Sequence, residues 1–455
     1  MGTLSVEPTI KGHIARAVSP RYHRGGDPMS KRNLKPWKVG LGIVVVLSIG
    51  GFAMVLLTTR RAKDDVARAT ARLHALGVPT TPQELARSVP HDQNAAPFYD
   101  KAAALQKSMG IKYSELPTAS PDRKKLSAYV QAMTPVTKIV LEASERPDCE
   151  FAHSWKFGSV FETFPEHARL KEFVKLCSCQ SQLAALKGDW KAALEWNAVG
   201  FRIARHCDER DQIGLLVRLA CEAIALTSLD RQIVQFGDSA EFRQAAGRQL
   251  DRLGPLPTVY RGLFVDAACE TVNYAAVTEG SLKDAVTASP EIREVAVLGH
   301  IESVRLAALA KSLGFLADAI ETMHDHPDDW RLAHQALADI ESKRSLDHSL
   351  SGKIVELFAS PPPAIAFAIG RLETLITLDR AALKLYEVKA QTGSFPRALP
   401  ANLPVDPFSG KPFIYRLARN RFILYSVGPN GKDEGGKIVG ESRTSDDIEM
   451  RVPRP

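Results

Sequence analysis

Cysteine is scarce in this chain. Its six residues, Cys149, Cys177, Cys179, Cys207, Cys221 and Cys269, are too few and too scattered in 455 positions for a disulfide scaffold. Cys177 and Cys179 stand two apart on a predicted helix, about 200° around its axis, so they neither bridge each other readily nor share a metal. The cysteines read as small buried hydrophobes, with one or two longer-range disulfides left open. Glycine (30) and proline (28) are too few for a fibrous or low-complexity chain, and 45% hydrophobic content is too high for a disordered one, although aromatics supply only 7%. A nucleophile elbow, a phosphate-cradling glycine loop and a zinc-spaced motif are all missing, so no reaction is named. Basic charge outside the N-terminus is missing too. Residues 1–38 hold eight Lys/Arg against Glu7 and Asp27, which leaves 51 basic and 50 acidic residues in the remainder of a chain of net charge +7. A body so nearly neutral excludes a nucleic-acid partner, whose affinity needs a concentrated basic face.

One long uncharged run is present. Residues 39–59, VGLGIVVVLSIGGFAMVLLTT, would span roughly 31 Å as a helix, about the hydrocarbon thickness of a bilayer. They predict a single transmembrane helix acting as a signal anchor, with no second run of this kind downstream. Lys31, Arg32, Lys35 and Lys38 before it, reinforced by Lys11, Arg16, Arg21 and Arg24, outweigh Arg60, Arg61 and Lys63 after it. Residues 1–38 are therefore expected as a basic cytoplasmic tail, with the bulk of the chain periplasmic or extracellular. The competing reading is a cleaved signal peptide, because Ser48-Ile49-Gly50 has suitably small residues, but the run is longer than a signal-peptide core of about 7–15 residues. Met29 opens its own compact basic segment, MSKRNLKPWK, and is an alternative start.

Residues 60–360 read as one all-helical domain. Val66, Ala69, Leu73 and Leu76 recur at spacings of three and four until Gly77 and Pro79 stop the pattern. Leu170, Phe173, Val174, Cys177 and Leu183 line a second helix that Lys187-Gly188 breaks, and Asp189 caps a third running through Phe201. This pair is similar to a tetratricopeptide-type unit, yet no 34-residue period flanks it, so an irregular bundle or solenoid-like body is expected. A further helix is predicted over 212–233. Asp238, with Glu241 three residues on, is the predicted cap of the next, and more helices are predicted at about 259–278, 290–325 and 327–343.

Two clusters in this body carry potential chemistry. His324-Asp325-His326-Pro327-Asp328-Asp329 offers transition-metal ligands but also marks a helix-to-helix turn. Phe151, Trp155, Phe157, Phe161 and Phe164 form an aromatic loop that pins to the helices or lines a ligand groove.

After Pro361-Pro362-Pro363 comes a long amphipathic helix over 364–391, and then the period changes. Pro412–Arg416 and Arg421–Ser426 predict a hairpin, followed by an acid-containing loop with Gly428, Gly431, Gly435 and Gly436. Residues 364–450 are thus expected as a small α+β module on a mainly α protein. The series LDRAALKLYEVKAQTGSFPRAL, LPVDPFSGKPFIYR, FILYSVGPNGKDEGG and DDI resembles the soluble domain of the major pseudopilin of type II secretion, over under a fifth of the chain. The whole chain also resembles uncharacterised bacterial membrane-anchored helical proteins with such tails, which implies no activity. The pseudopilin resemblance implies a calcium ion held by the positions matching that family's loop, here Leu424, Ser426, Asn430, Asp446 and Asp447, with Asp433 nearby. Asn430 replaces an aspartate of the family pattern, and Pro429 removes an amide donor. Pseudopilins also carry their apolar helix at the extreme N-terminus with a Glu in it; here the helical body intervenes and that Glu is missing, which argues against assembly into a pseudopilus.

Two function classes follow. One is a membrane-tethered extracytoplasmic interaction or scaffold protein with protein partners, associated with secretion or envelope machinery. The alternative is an extracytoplasmic hydrolase whose catalytic residues are dispersed among the helices. A pocket with converging perturbed acids or histidines favours the enzyme, and a broad apolar groove favours the scaffold.

Overall fold

A computed structural model describes residues 36–111, 123–154, 164–276, 299–358, 363–418, 421–436 and 447–452. The protein is mainly α-helical. Helix α1 (Pro36–Ala75) contains the long apolar run, and its side chains from Val44 to Leu57 face outward, Phe52 65% and Leu57 68% exposed. Of the described residues, those up to Leu56 form one unit and those from Leu57 a second. Within the second, the end of α1 buries Ala69 and Leu73 in the main core.

The chain continues through α2 (Pro82–Leu85), α3 (Ala96–Met109), α4 (Arg123–Ala132), α5 (Thr134–Ser144), α6 (Pro165–Leu186), α7 (Trp190–Arg205), α8 (Gln212–Phe236) and α9 (Ala240–Asp251). A 3₁₀ turn, Val259–Leu263, leads to α10 (Phe264–Ala276), α11 (Glu302–His324), α12 (Trp330–Ser345), α13 (Leu350–Phe358) and α14 (Pro363–Thr392). The α1 residue Arg72 forks onto Asp318 and Glu321 of α11, with 2.7 Å contacts to each.

Local chemistry sets the helix ends. Gly188, at φ 80°, makes the left-handed turn between α6 and α7 that a β-carbon would strain. The Asp189 carboxylate accepts from the Ala192 amide at 3.0 Å, Asp211 from Gly214 at 2.6 Å and Asp329 from Leu332 at 3.1 Å. The α9 cap is Ser239, which accepts from Phe242 at 3.2 Å, and not the expected Asp238, whose carboxylate pairs instead with Lys389 at 2.7 Å. Against the expectation of one such segment, α8 is also long and apolar enough to cross a membrane. It is a core helix: Leu215, Leu219, Leu226 and Leu229 are buried, and its Arg218 pairs with Glu209 and Glu222.

Helices α6, α7 and α8 pack mutually around a closed polar ring. Ser181 donates to Asn197 at 2.9 Å, Asn197 to Gln232 at 2.9 Å and Gln232 back to Ser181 at 2.6 Å, all buried.

The proline break at 361–363 is not a break in packing, because α14 enters the same hydrophobic core as α8, α9 and α12. Gly370 of α14 allows the closest approach: a β-carbon there would lie 2.7 Å from the buried Trp330 indole of α12, whose Nε1 donates to Glu373 at 2.7 Å. Trp330 also meets Phe408 edge-on at 4.9 Å. Strands β1 (Ile414–Ala418) and β2 (Arg421–Ser426) form the expected hairpin, and an unexpected third strand, β3 (Ile448–Val452), completes an antiparallel sheet of order β1-β2-β3. Leu424 pairs with Tyr415 on one side and Met450 on the other.

Gly370→Ala forces the Trp330 ring to move and should destabilise the protein by about 1–3 kcal/mol. Gly247→Ala on α9, where a β-carbon meets nothing within 4 Å, should stabilise it by about 0.5–1 kcal/mol. Thermal unfolding of both variants checks the pair of opposite signs.

Candidate functional site

The six residues expected to hold calcium are only partly brought together. Leu424 is the centre of β2 and fully buried. The buried Ser426 hydroxyl donates to Asp406 at 2.8 Å and accepts from the Gly428 amide at 2.9 Å. Asn430, exposed, donates to Glu434 at 2.7 Å and accepts from the Lys432 amide at 2.8 Å. Asp433 accepts from Tyr425 Oη and the Gly435 amide, both at 2.8 Å, and pairs with Arg416 at 3.2 Å; the Tyr425 hydroxyl holds its carboxyl below the ordinary value. Asp446 lies outside the described residues. The enclosed Asp447 accepts from the Gly436 amide at 2.8 Å through Oδ2, while its Oδ1 has no partner. Burial pushes this carboxyl up, and the neighbouring Glu434, whose own Oε2 is buried and unpartnered, pushes it further. Two orphaned carboxylate oxygens side by side fit a cation, with Glu434 replacing Asn430 and Asp433 as the companion of Asp447.

The other nominated clusters are simpler. His324, Asp325 and His326 are exposed on the α11–α12 turn, and Asp329 caps α12. Among the described residues no group of three or more His, Cys, Asp or Glu is arranged to hold a metal. Of the aromatic loop, Phe151 is half-buried and Phe164 stacks on His167 at 5.1 Å, while Trp155, Phe157 and Phe161 lie outside the described residues. All six cysteines are free thiols, five of them buried, and burial pushes Cys177 and Cys179 up to about 12.

Two features that sequence reasoning missed are better formed. The first is a polar cluster beside a cleft of about 310 Å³ near the start of α6. Arg210 grips both oxygens of Glu150 at 2.9 Å, Asp208 at 2.9 Å and the Leu85 carbonyl at 2.7 Å. His153 lies 3.2 Å from Glu166, and the buried His167 lies 3.6 Å from Asp211. Behind them are further acids. Burial lifts Asp211 to about 7 against the Gly214 amide that favours its charge. It lifts Asp266, ringed by protein and bound by Gln212, to about 6, and Glu270, held by Ser312 at 2.8 Å, to about 8. The i, i+4 spacing of Asp266 and Glu270 on an otherwise apolar helix was the available signal. These groups can exchange protons, but no Ser, Thr, Cys or Lys lines the cleft among the described residues, and its charges bind one another.

The second feature is a groove of about 500 Å³ between α7 and α9. The inner face of α7, carrying Asn197 and Gly200, packs on α6 and α8, which leaves Trp190, Leu194, Ala198 and Phe201 toward the groove. Ala245 and Leu253 of the α9 side complete an apolar floor. Lys191, Arg202, Arg205, Arg248 and Arg252 rim it, against a single acid, Glu195. Arg202 donates to the Ser144 carbonyl at 3.2 Å and Arg205 to the Arg252 carbonyl at 3.5 Å; none of the five is in an ion pair among the described residues. The arginine spacings of three on α7 and four on α9 were legible as stripes, but the pairing of the two helices was not.

The raised acids make stability fall with rising pH. A carboxyl that holds its proton more tightly when folded stabilises the fold fully below its unfolded pKa and loses roughly 1.4 kcal/mol per pH unit until its folded value is passed. His167, kept neutral by burial, acts in the opposite sense below its ordinary value of 6.5, so the window is read above it. Melting temperature of the full chain should fall between about pH 6.5 and 8, and Glu270→Gln should flatten the upper part of that fall. A melting temperature that rises across this range would refute the assignment. Compared with known protein families, with curated proteins and with solved structures, the chain matches none, so its sites stand on their own geometry.

Proposed function

We propose that this is a membrane-tethered, extracytoplasmic interaction protein of the cell envelope. The outward-facing apolar part of α1 serves as the single span, the basic tail stays in the cytoplasm, and the helical body offers the α7–α9 groove to a partner. The groove carries this reading: an apolar floor and a rim of five cations in no ion pair among the described residues form an incomplete surface, whereas the cleft's charges already satisfy one another. A photo-cross-linking amino acid at Ala198, activated in whole cells, should join the protein to an extracytoplasmic protein. Adducts to cytoplasmic proteins overturn the orientation, and the absence of any adduct overturns the interaction reading.

The C-terminal module is read as pseudopilin-like, with Glu434 and Asp447 holding a Ca²⁺ that ties β3 to the loop after β2. The orphaned oxygens of Glu434 and Asp447 favour this, since a divalent ion would neutralise two adjacent carboxylates and let both ionise. Millimolar calcium should raise the melting temperature of the full chain, and Asp447→Asn should remove the effect. An unchanged calcium response in that variant refutes the site.

A further inference from the structure

We infer that the α7–α9 groove takes an acidic amphipathic helix of a partner protein, an inference that rests on the interaction reading above. The shape argues for a helix. Leu194, Ala198 and Phe201 recur along α7 at spacings of four and three, and the facing wall is a second helix. The surface complementary to two parallel rows of helical side chains is the apolar stripe of a third helix, repeating at the same three-and-four interval. From Trp190 to Phe201 the floor extends for about 17 Å, some three turns of an incoming helix.

The charge argues for acids. Four arginines and a lysine stand on both rims, and Arg248, Arg252, Arg205 and Lys191 are exposed. The apolar stripe of a docked helix is flanked by polar positions, and these would face both rims. Glutamates or aspartates there meet five cations that form no ion pair among the described residues, while lysines there are repelled. Lys191 is at the Trp190 end and the arginines toward the other, with Arg205, Arg248 and Arg252 held close by the Arg205 to Arg252 contact, so the more acidic end of the partner helix lies toward Arg205. Nucleic acid would leave the apolar floor unfilled.

The test uses the full chain in nanodiscs of zwitterionic lipid and a displayed library of helical peptides. Apolar residues are fixed at three-and-four spacing, and the flanking positions are free to be Glu, Gln or Lys. Selection should converge on Glu at the flanks. The best peptide should bind at least tenfold more weakly to Arg248→Glu/Arg252→Glu, a loss of about 1.4 kcal/mol, and should be excluded by Ala198→Trp. Circular dichroism confirms that both variants are folded; their sites are at the surface. Convergence on Lys or Gln, failure to enrich any peptide, or binding indifferent to the charge reversal overturns the inference. So does recruitment of the wild-type chain, but not the charge-reversed one, to anionic vesicles without any selected peptide, which would make lipid the occupant. A cellular adduct at Ala198 to a segment without acids sinks this inference while leaving the interaction reading intact.

Discussion

The ring of Ser181, Asn197 and Gln232 constrains more of the molecule than any other contact. Three polar side chains on three helices are buried and bond one another in a closed ring, with the Ala193 carbonyl as a second acceptor for Ser181. Sliding any one helix by a residue would strand buried amides and a hydroxyl, at about 1–3 kcal/mol for each unsatisfied group. Apolar packing alone tolerates such slips far better, because Leu and Ala faces repack. The ring therefore fixes the rotation of α7, and with it the face that is left outside. Ala198, Arg205 and Arg202 lie about 80–140° around the helix from Asn197, so fixing Asn197 toward α6 and α8 turns them to the groove.

The second organising element is α14. A helix that follows three prolines and precedes a small sheet reads as the start of a separate module, yet its buried residues are divided between the helical body and the sheet. Tyr386 donates to the Val234 carbonyl of α8 at 3.1 Å and lies 5.3 Å from Phe395, which in turn meets Phe422 of β2 at 5.0 Å. The sheet is held against the bundle through this aromatic chain, and the Trp330 indole fastens the far end of the same helix. Body and tail share one core.

Local rules were legible wherever a short-range contact decides the outcome. Asp189 caps its helix as expected because its carboxylate reaches an amide three residues on, as do those of Asp211 and Asp329, which were not singled out, and the glycine at 188 needs no distant partner. Asp238 failed as a cap for a non-local reason: Lys389, far along the chain, draws its carboxylate away and leaves Ser239 to do the capping. β3 was missed although Ile448, Met450 and Val452 alternate with Glu449 and Arg451, because five residues make a weak signal until β2 offers an edge. Of the residues expected to hold calcium, Ser426 is bonded to Asp406, which was not among them, and Glu434 became visible only when the loop folded back. The groove was beyond reach for the same reason, since it belongs to neither helix alone.

The cysteines have a consequence for how the protein is made. Burial pushes the Cys177 and Cys179 thiols up to about 12, so they carry little thiolate at neutral pH. No disulfide joins any of the six cysteines. The packing accommodates all six as reduced thiols, five of them inside the core, and asks for no disulfide-forming catalyst.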